Sequence, residues 1–164
     1  MVHALGHVAK RAERTHPGGR LSKSDIDTRY LETLMGYNAR RAALVIIERF
    51  VQVMSDFDLR PVDFSVLSVI FHNPGVTSRQ LCSALSILPP NLVGLVKALE
   101  KRGLIERQPH PQDGRALGLH ATAKGQALMR QAEQRASELE KQAAHRLSVD
   151  EQKQLIALLQ KIYL

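Results

Sequence analysis

Residues 77–120 read TSRQLCSALSILPPNLVGLVKALEKRGLIERQPHPQDGRALGLH, and this stretch decides the fold. Thr77 or Ser78 is a good cap for a short helix through Ser83 or Ala84. A turn follows over residues 85–88. Pro89 and Pro90 then open a second helix, because first-turn amides have no intrahelical partner to lose. That helix runs to Arg102, and Gly103 supplies the residue after its end. A short helix, a brief turn and a second helix make a helix-turn-helix. Next come Leu104-Ile105-Glu106-Arg107, a turn-rich tip from Pro109 to Arg115, and Ala116-Leu117-Gly118-Leu119-His120. A strand, a tip and a strand directly after a helix-turn-helix form a wing.

Working outward, Pro61 suits a first helical position, and Asn73-Pro74-Gly75 ends the run that follows. Within it Val62, Phe64 and Val66 alternate like a strand, while Phe64, Leu67, Ile70 and Phe71 repeat like a helix. Its length and Pro start favour the helix. Upstream, Ser24 or Asp25 caps a long predicted helix to about Ser55, with Leu31, Leu34, Met35, Ala42, Val45, Ile46, Phe50 and Val53 at helical spacing. A helix of that length buries more than one face, so it is expected to pack on a second subunit as well as its own domain. Downstream, Thr122 caps a predicted helix over residues 123–147. Ser148-Val149-Asp150-Glu151 is a capping box for a last helix with Leu155, Leu158, Leu159 and Ile162 on one face.

Composition narrows the classes. The 164 residues are 44% hydrophobic but only 4% aromatic, with no Trp, so the core is expected to be aliphatic. The net charge of +7 favours a polyanionic partner. More than half of it sits in residues 1–24, where Lys10, Arg11, Arg14, Arg20 and Lys23 stand against Glu13. That segment reads as a basic, mobile tail. One cysteine, Cys82, excludes an internal disulfide, and no apolar run is long enough to span a membrane. The expectation is a cytoplasmic protein with no membrane partner. Gly-rich phosphate loops, paired metal ligands and nucleophile motifs are all missing from the sequence, which argues against an enzyme and against a cofactor or metal.

The motif string resembles the MarR family of bacterial regulators. The residues that carry it are Leu59-Arg60-Pro61, Asn73-Pro74-Gly75-Val76-Thr77, Gln80-Leu81, Leu99-Glu100-Lys101-Arg102-Gly103-Leu104-Ile105-Glu106-Arg107, Asp113-Gly114-Arg115 and Thr122-Ala123-Lys124-Gly125. Each piece is weak alone; the order and spacing make the likeness specific over about residues 28–164. It implies a mainly α, winged helix-turn-helix protein that forms a homodimer. Residues 57–121 would be the DNA-binding lobe of a single domain over 25–164, and residues 25–56 and 122–164 the dimerisation helices. Two recognition helices would enter successive major grooves of a pseudo-palindromic operator, about one turn apart.

The DNA-binding residues implied are Thr77, Ser78 and Arg79 on phosphates. Pro90, Asn91, Gly94, Lys97 and Lys101 form the outward face of the recognition helix, with Leu92, Leu95 or Val96, and Leu99 inward. Pro90 and Asn91 stand where the family usually has Ser and Thr, and Gly94 where an Arg is frequent. Direct base readout is therefore expected to be sparse, with a larger share for thymine methyls, DNA shape and the wing. Arg115 would reach the minor groove, held by Asp113 and Arg107. Family members often release DNA on binding a phenolic or aromatic acid, or an aromatic acyl-CoA, between the DNA lobe and the dimer helices. For such an anion the candidates are Tyr37, Asn38, Arg40, Arg41, Arg49, Arg60 and His72; for each arginine a solvated or interhelix ion-paired side chain is the favoured alternative, and for His72 an interaction with the helix dipole. Cys82 stands where the family has Ala and reads as a packed, inert thiol rather than a redox sensor. The rival reading is an architectural DNA-binding protein with no effector and little sequence preference. A structural helical dimer gives no reason for Asp113-Gly114-Arg115 beside a helix-turn-helix.

Overall fold

A computed structural model describes residues 26–110 and 113–164, without the side chains of residues 110–116. The basic tail expected over residues 1–24 lies outside them. The order is α1 (Arg29–Glu32), α2 (Met35–Met54), α3 (Pro61–His72), β1 (Val76–Thr77), α4 (Ser78–Leu85), α5 (Pro89–Lys101), β2 (Ile105–His110), β3 (Asp113–Ala121), α6 (Ala123–Ala143) and α7 (Val149–Tyr163). A mainly helical chain with one small antiparallel sheet, in the strand order β1-β3-β2, is the winged helix-turn-helix that the sequence implied.

The long first helix is corrected. It is broken at Thr33 and Leu34, where the Thr33 hydroxyl donates to the Tyr30 carbonyl at 2.8 Å. Local bonding of this kind competes with helix continuation. Periodicity did not register the break because Leu31, Leu34 and Met35 keep helical spacing across it. The chain divides into two compact units, between Asn38 and Ala39. In the first, Asp27 pairs with Arg29 at 2.8 Å and the Asn38 amide donates to the carbonyls of Glu32 and Leu34.

In the second unit α3 is the central helix. Val66, Leu67 and Ile70 are fully buried, which resolves the strand-or-helix ambiguity of that run. Around them close Met54, Leu59, Leu81, Leu92, Val96, Leu99, Leu104, Leu119, Met129 and Ala132, the aliphatic core expected from composition. Phe50 and Phe64 meet edge to face at 5.1 Å. The wing pairs β2 with β3 from Ile105 opposite Ala121 to Pro109 opposite Leu117, with an irregularity after Pro109.

The predicted capping box of the last helix is present: the Glu151 N–H donates to Ser148 Oγ and the Ser148 N–H to the Glu151 carboxylate. The helix before it ends at Ala143, four residues short of the expected limit, because the chain turns through Ala144 to enter that cap. α7 buries no residue, and Leu155, Ile156, Leu158, Leu159 and Ile162 are all exposed. On α2, Leu44, Val45, Ile47 and Val51 are exposed as well.

Candidate nucleic-acid interface

α4 starts on a reciprocal cap. The Gln80 N–H donates to Thr77 Oγ1, and the Gln80 side chain accepts from the Thr77 N–H at 2.9 Å. Thr77 is therefore the cap, which leaves Ser78 and Arg79 in the first turn. The chain then bends by 115° into α5, as helix-turn-helix units do. Ser86 makes the corner in the left-handed region, φ 51°, and the Ile87 N–H reaches back to the Cys82 carbonyl.

α5 buries Leu92, Val96 and Leu99 against the core. Pro90, Asn91, Gly94, Lys97 and Lys101 are exposed, as the sequence placed them. A Cβ added at Gly94 would meet nothing within 4 Å. Packing within the chain therefore does not demand glycine there, and its effect is to keep the outer face low. Pro89 and Val93 are exposed too, and the sequence reading had not included them. With Ser78, Arg79, Lys97 and Arg107 they line a concavity of about 610 Å³ floored by Leu92 and Val96. Cys82 reaches the same concavity, half-buried against the core.

Arg107 is engaged on the recognition helix. Its guanidinium grips Glu100 of α5, with Nε 2.6 Å from one carboxylate oxygen and a terminal nitrogen 3.2 Å from the other. Glu100 raises its pKa. Arg107 thus ties the wing's first strand to the recognition helix. The side chains of Asp113 and Arg115 lie outside the described residues.

The C-terminal end of α5 closes on Gly103, as the sequence placed it, but its long-range contacts were not legible there. Gly103, at φ +68°, donates to the Glu100 carbonyl, and Leu104 donates to that of Leu99. These two bonds are the paired Schellman closure of a helix end. The Arg102 guanidinium then reaches the carbonyls of Asp58 and Phe57 at 2.6 and 2.9 Å, in the turn between α2 and α3. From the other side, Thr122 Oγ1 donates to the Gly103 carbonyl at 2.7 Å and Lys124 Nζ to that of Arg102 at 2.8 Å. Thr122 also accepts from the Gly125 N–H, the cap that the sequence placed there. Gly125 lies so near Leu104 that an added Cβ would stand 1.9 Å from the Leu104 carbonyl oxygen. The recognition helix is therefore clasped between the turn after α2 and the start of α6. Thr122-Ala123-Lys124-Gly125 had been legible as a family motif but not as this contact.

The effector candidates are distributed over both units. Tyr37 and Asn38 belong to the first unit. Arg40 and Arg41 are exposed on α2. Three others are engaged inside the second unit. Arg49 donates to the Gln142 carbonyl at 3.2 Å. Arg60 forks onto Asp63 at 2.7 and 2.9 Å. His72 Nε2 lies 2.7 Å from a Glu133 oxygen that also accepts from Ser68. A separate apolar cavity of about 520 Å³ lies between α2, α6 and α7, with Val45, Ile46, Leu147, Leu155 and Leu159 on its walls and Arg146 at its edge.

Clasped recognition helix, wing and exposed helical arms define a winged helix-turn-helix regulator, and comparison with known proteins gives the family. The model of the MarR family matches residues 57–116. A transcriptional regulatory protein described as putative, for the hcr operon of Thauera aromatica, is 30% identical over 130 residues, 79% of this chain and 78% of its own. The transcriptional repressor CouR, solved bound to a 23-mer DNA duplex, is 34% identical with a TM-score of 0.78, covering 84% of this chain and 97% of that one. A Mycobacterium tuberculosis MarR family protein in complex with salicylic acid is 25% identical with a TM-score of 0.64, covering 79% and 96%. This chain belongs to the MarR family of DNA-binding transcriptional regulators. Among the described residues no single helix is long and apolar enough to cross a membrane.

Proposed function

We propose that two copies of the chain form a dimer that represses transcription from a pseudo-palindromic operator and lets go when a small aromatic anion binds. The observation that carries the DNA reading is the outer face of α5. Asn91, Gly94, Lys97 and Lys101 stand exposed on a helix held at both sides of its C-terminal end, beside Ser78 and Arg79 at the start of α4. Asn91 offers a bidentate contact to adenine, and Lys97 and Lys101 serve guanine edges or phosphates. Ser78 and Arg79 take phosphates, together with their own amides at the α4 N-terminus, while Thr77, whose N–H and hydroxyl are both given to Gln80, would have to release that cap to join them. Gly94 leaves room for close backbone approach, and Pro90 presents its ring on the same outward face. Arg115 and Asp113 act at the wing tip, and Arg107 fixes the wing on the recognition helix. CouR, bound to a DNA duplex, supports this mode.

The dimer rests on the exposed apolar faces of α2 and α7. Large apolar side chains exposed along both helices are the kind of surface that a second copy would cover. A ligand that releases DNA must bind one arrangement of the two recognition helices better than the other. The relative in complex with salicylic acid supports an aromatic acid as that ligand. Arg40 and Arg41 are the candidate cations with no ion-pair or hydrogen-bond partner for their side chains among the described residues, and Tyr37 and Asn38 lie near them in sequence. Arg49, Arg60 and His72 would first have to leave their present partners.

Selection of bound sequences from a random DNA pool, at two salt concentrations, tests the reading. A pseudo-palindrome with half-sites about 10 base pairs apart is the expected result. Enrichment of no motif, with binding that collapses as salt rises, would replace it with the architectural reading.

A further inference from the structure

Val93 is a side chain that the fold itself does not use. It follows buried Leu92 on α5 but is 51% exposed. It shares a stripe with Pro89 and Lys97, four residues to either side. The same concavity takes in Arg79 from α4 and Arg107 from β2. An aliphatic group flanked by the cations Arg79 and Lys97, with Arg107 held on Glu100, suits the apolar spot on the edge of a polyanion. In the major groove that spot is the 5-methyl group of thymine. Gly94, next in the chain, has open space where its Cβ would be, so a short side chain at 93 is not held off by its neighbour. A β-branched side chain on a helix is also nearly fixed in one rotamer, so little freedom is lost on contact.

We propose that Val93 is a specificity-determining residue that packs against a thymine methyl in each half-site. This rests on the DNA reading above and deepens it, by giving the donor-poor recognition helix an apolar means of choosing a base.

The test uses the full chain and the motif it selects. Each conserved thymine is replaced in turn, in both half-sites, by deoxyuridine, which removes the methyl and keeps the pairing and O4. Wild-type protein should lose about fourfold in affinity per half-site at one of these positions, the worth of one buried methyl group. Val93→Ala should bind the thymine and uracil duplexes alike there, and its own selected motif should lose thymine at that position. Val93→Thr, which keeps the branched shape and exchanges one methyl for a hydroxyl, should blunt the uracil penalty without altering the melting temperature. A penalty equal in wild type and both variants, or no thymine that carries one, overturns the proposal while leaving the regulator reading intact. Failure of the wild type to select any motif overturns the regulator reading itself.

Discussion

Gly125→Ala should loosen the seat of the recognition helix. The added Cβ would lie 1.9 Å from the Leu104 carbonyl oxygen, where ordinary contact begins at 3.4 Å. The neighbour is backbone of a buried residue, so no side-chain rotation relieves it. The start of α6 must retreat from the end of α5 by about 1.5 Å, the gap between a clash and ordinary packing. Three bonds cross that seam: Thr122 N–H to Leu104 O at 3.0 Å, Thr122 Oγ1 to Gly103 O at 2.7 Å and Lys124 Nζ to Arg102 O at 2.8 Å. A retreat of that size breaks them. At about 1 kcal/mol each they sum to about 3 kcal/mol. Alanine's better helix propensity returns up to about 1 kcal/mol. A net loss of about 2 kcal/mol should lower the melting temperature by about 4–8 °C in a chain of this size. Thermal unfolding followed by far-ultraviolet circular dichroism measures it. Gly36→Ala is the control, since that added Cβ would meet nothing within 4 Å. Gly125→Ala melting at or above the wild-type temperature would refute the argument.

Gly94→Ala should do the opposite to the fold, raising stability by about 0.5–1 kcal/mol because an exposed helical glycine is replaced without a clash, while weakening operator binding in a fluorescence-anisotropy titration. Arg102→Ala should remove both bonds to the turn before α3, each worth about 1.5–3 kcal/mol for a charged donor, and lower both the melting temperature and, in an anisotropy titration, the operator affinity, with Arg102→Lys recovering only part. Asp63 is held below the ordinary carboxylate range by the Arg60 guanidinium, which outweighs burial acting in the other direction. Its contribution to stability is therefore complete above the unfolded value near ~3.9 and is lost as pH falls through the lowered folded value. Melting temperature should drop over that acidic window in wild type, and the drop should be smaller in Asp63→Asn. Leu158→Glu puts a charge on the exposed apolar face of α7 and should yield monomers by sedimentation, with operator affinity reduced by the loss of the second half-site.

The sequence by itself determined the local order of this protein. Pro61, Pro89, Gly103, Thr122 and the Ser148–Glu151 box act within a turn or two of themselves, so their meaning survives without the rest of the chain. The burial of Leu92, Val96 and Leu99, and the exposure of Asn91, Lys97 and Lys101, followed from helical period alone. The tertiary structure decided what touches across sequence distance. Arg107 reaches Glu100, Arg60 turns to Asp63 and His72 to Glu133, because a charged side chain takes partners that the packed backbone brings within reach. Val93 was overlooked because an isolated exposed valine resembles a core residue until the neighbouring strand and helix frame it with cations. The clasp on α5 was invisible for the same reason: its acceptors are backbone carbonyls, which every residue has and only the fold can aim.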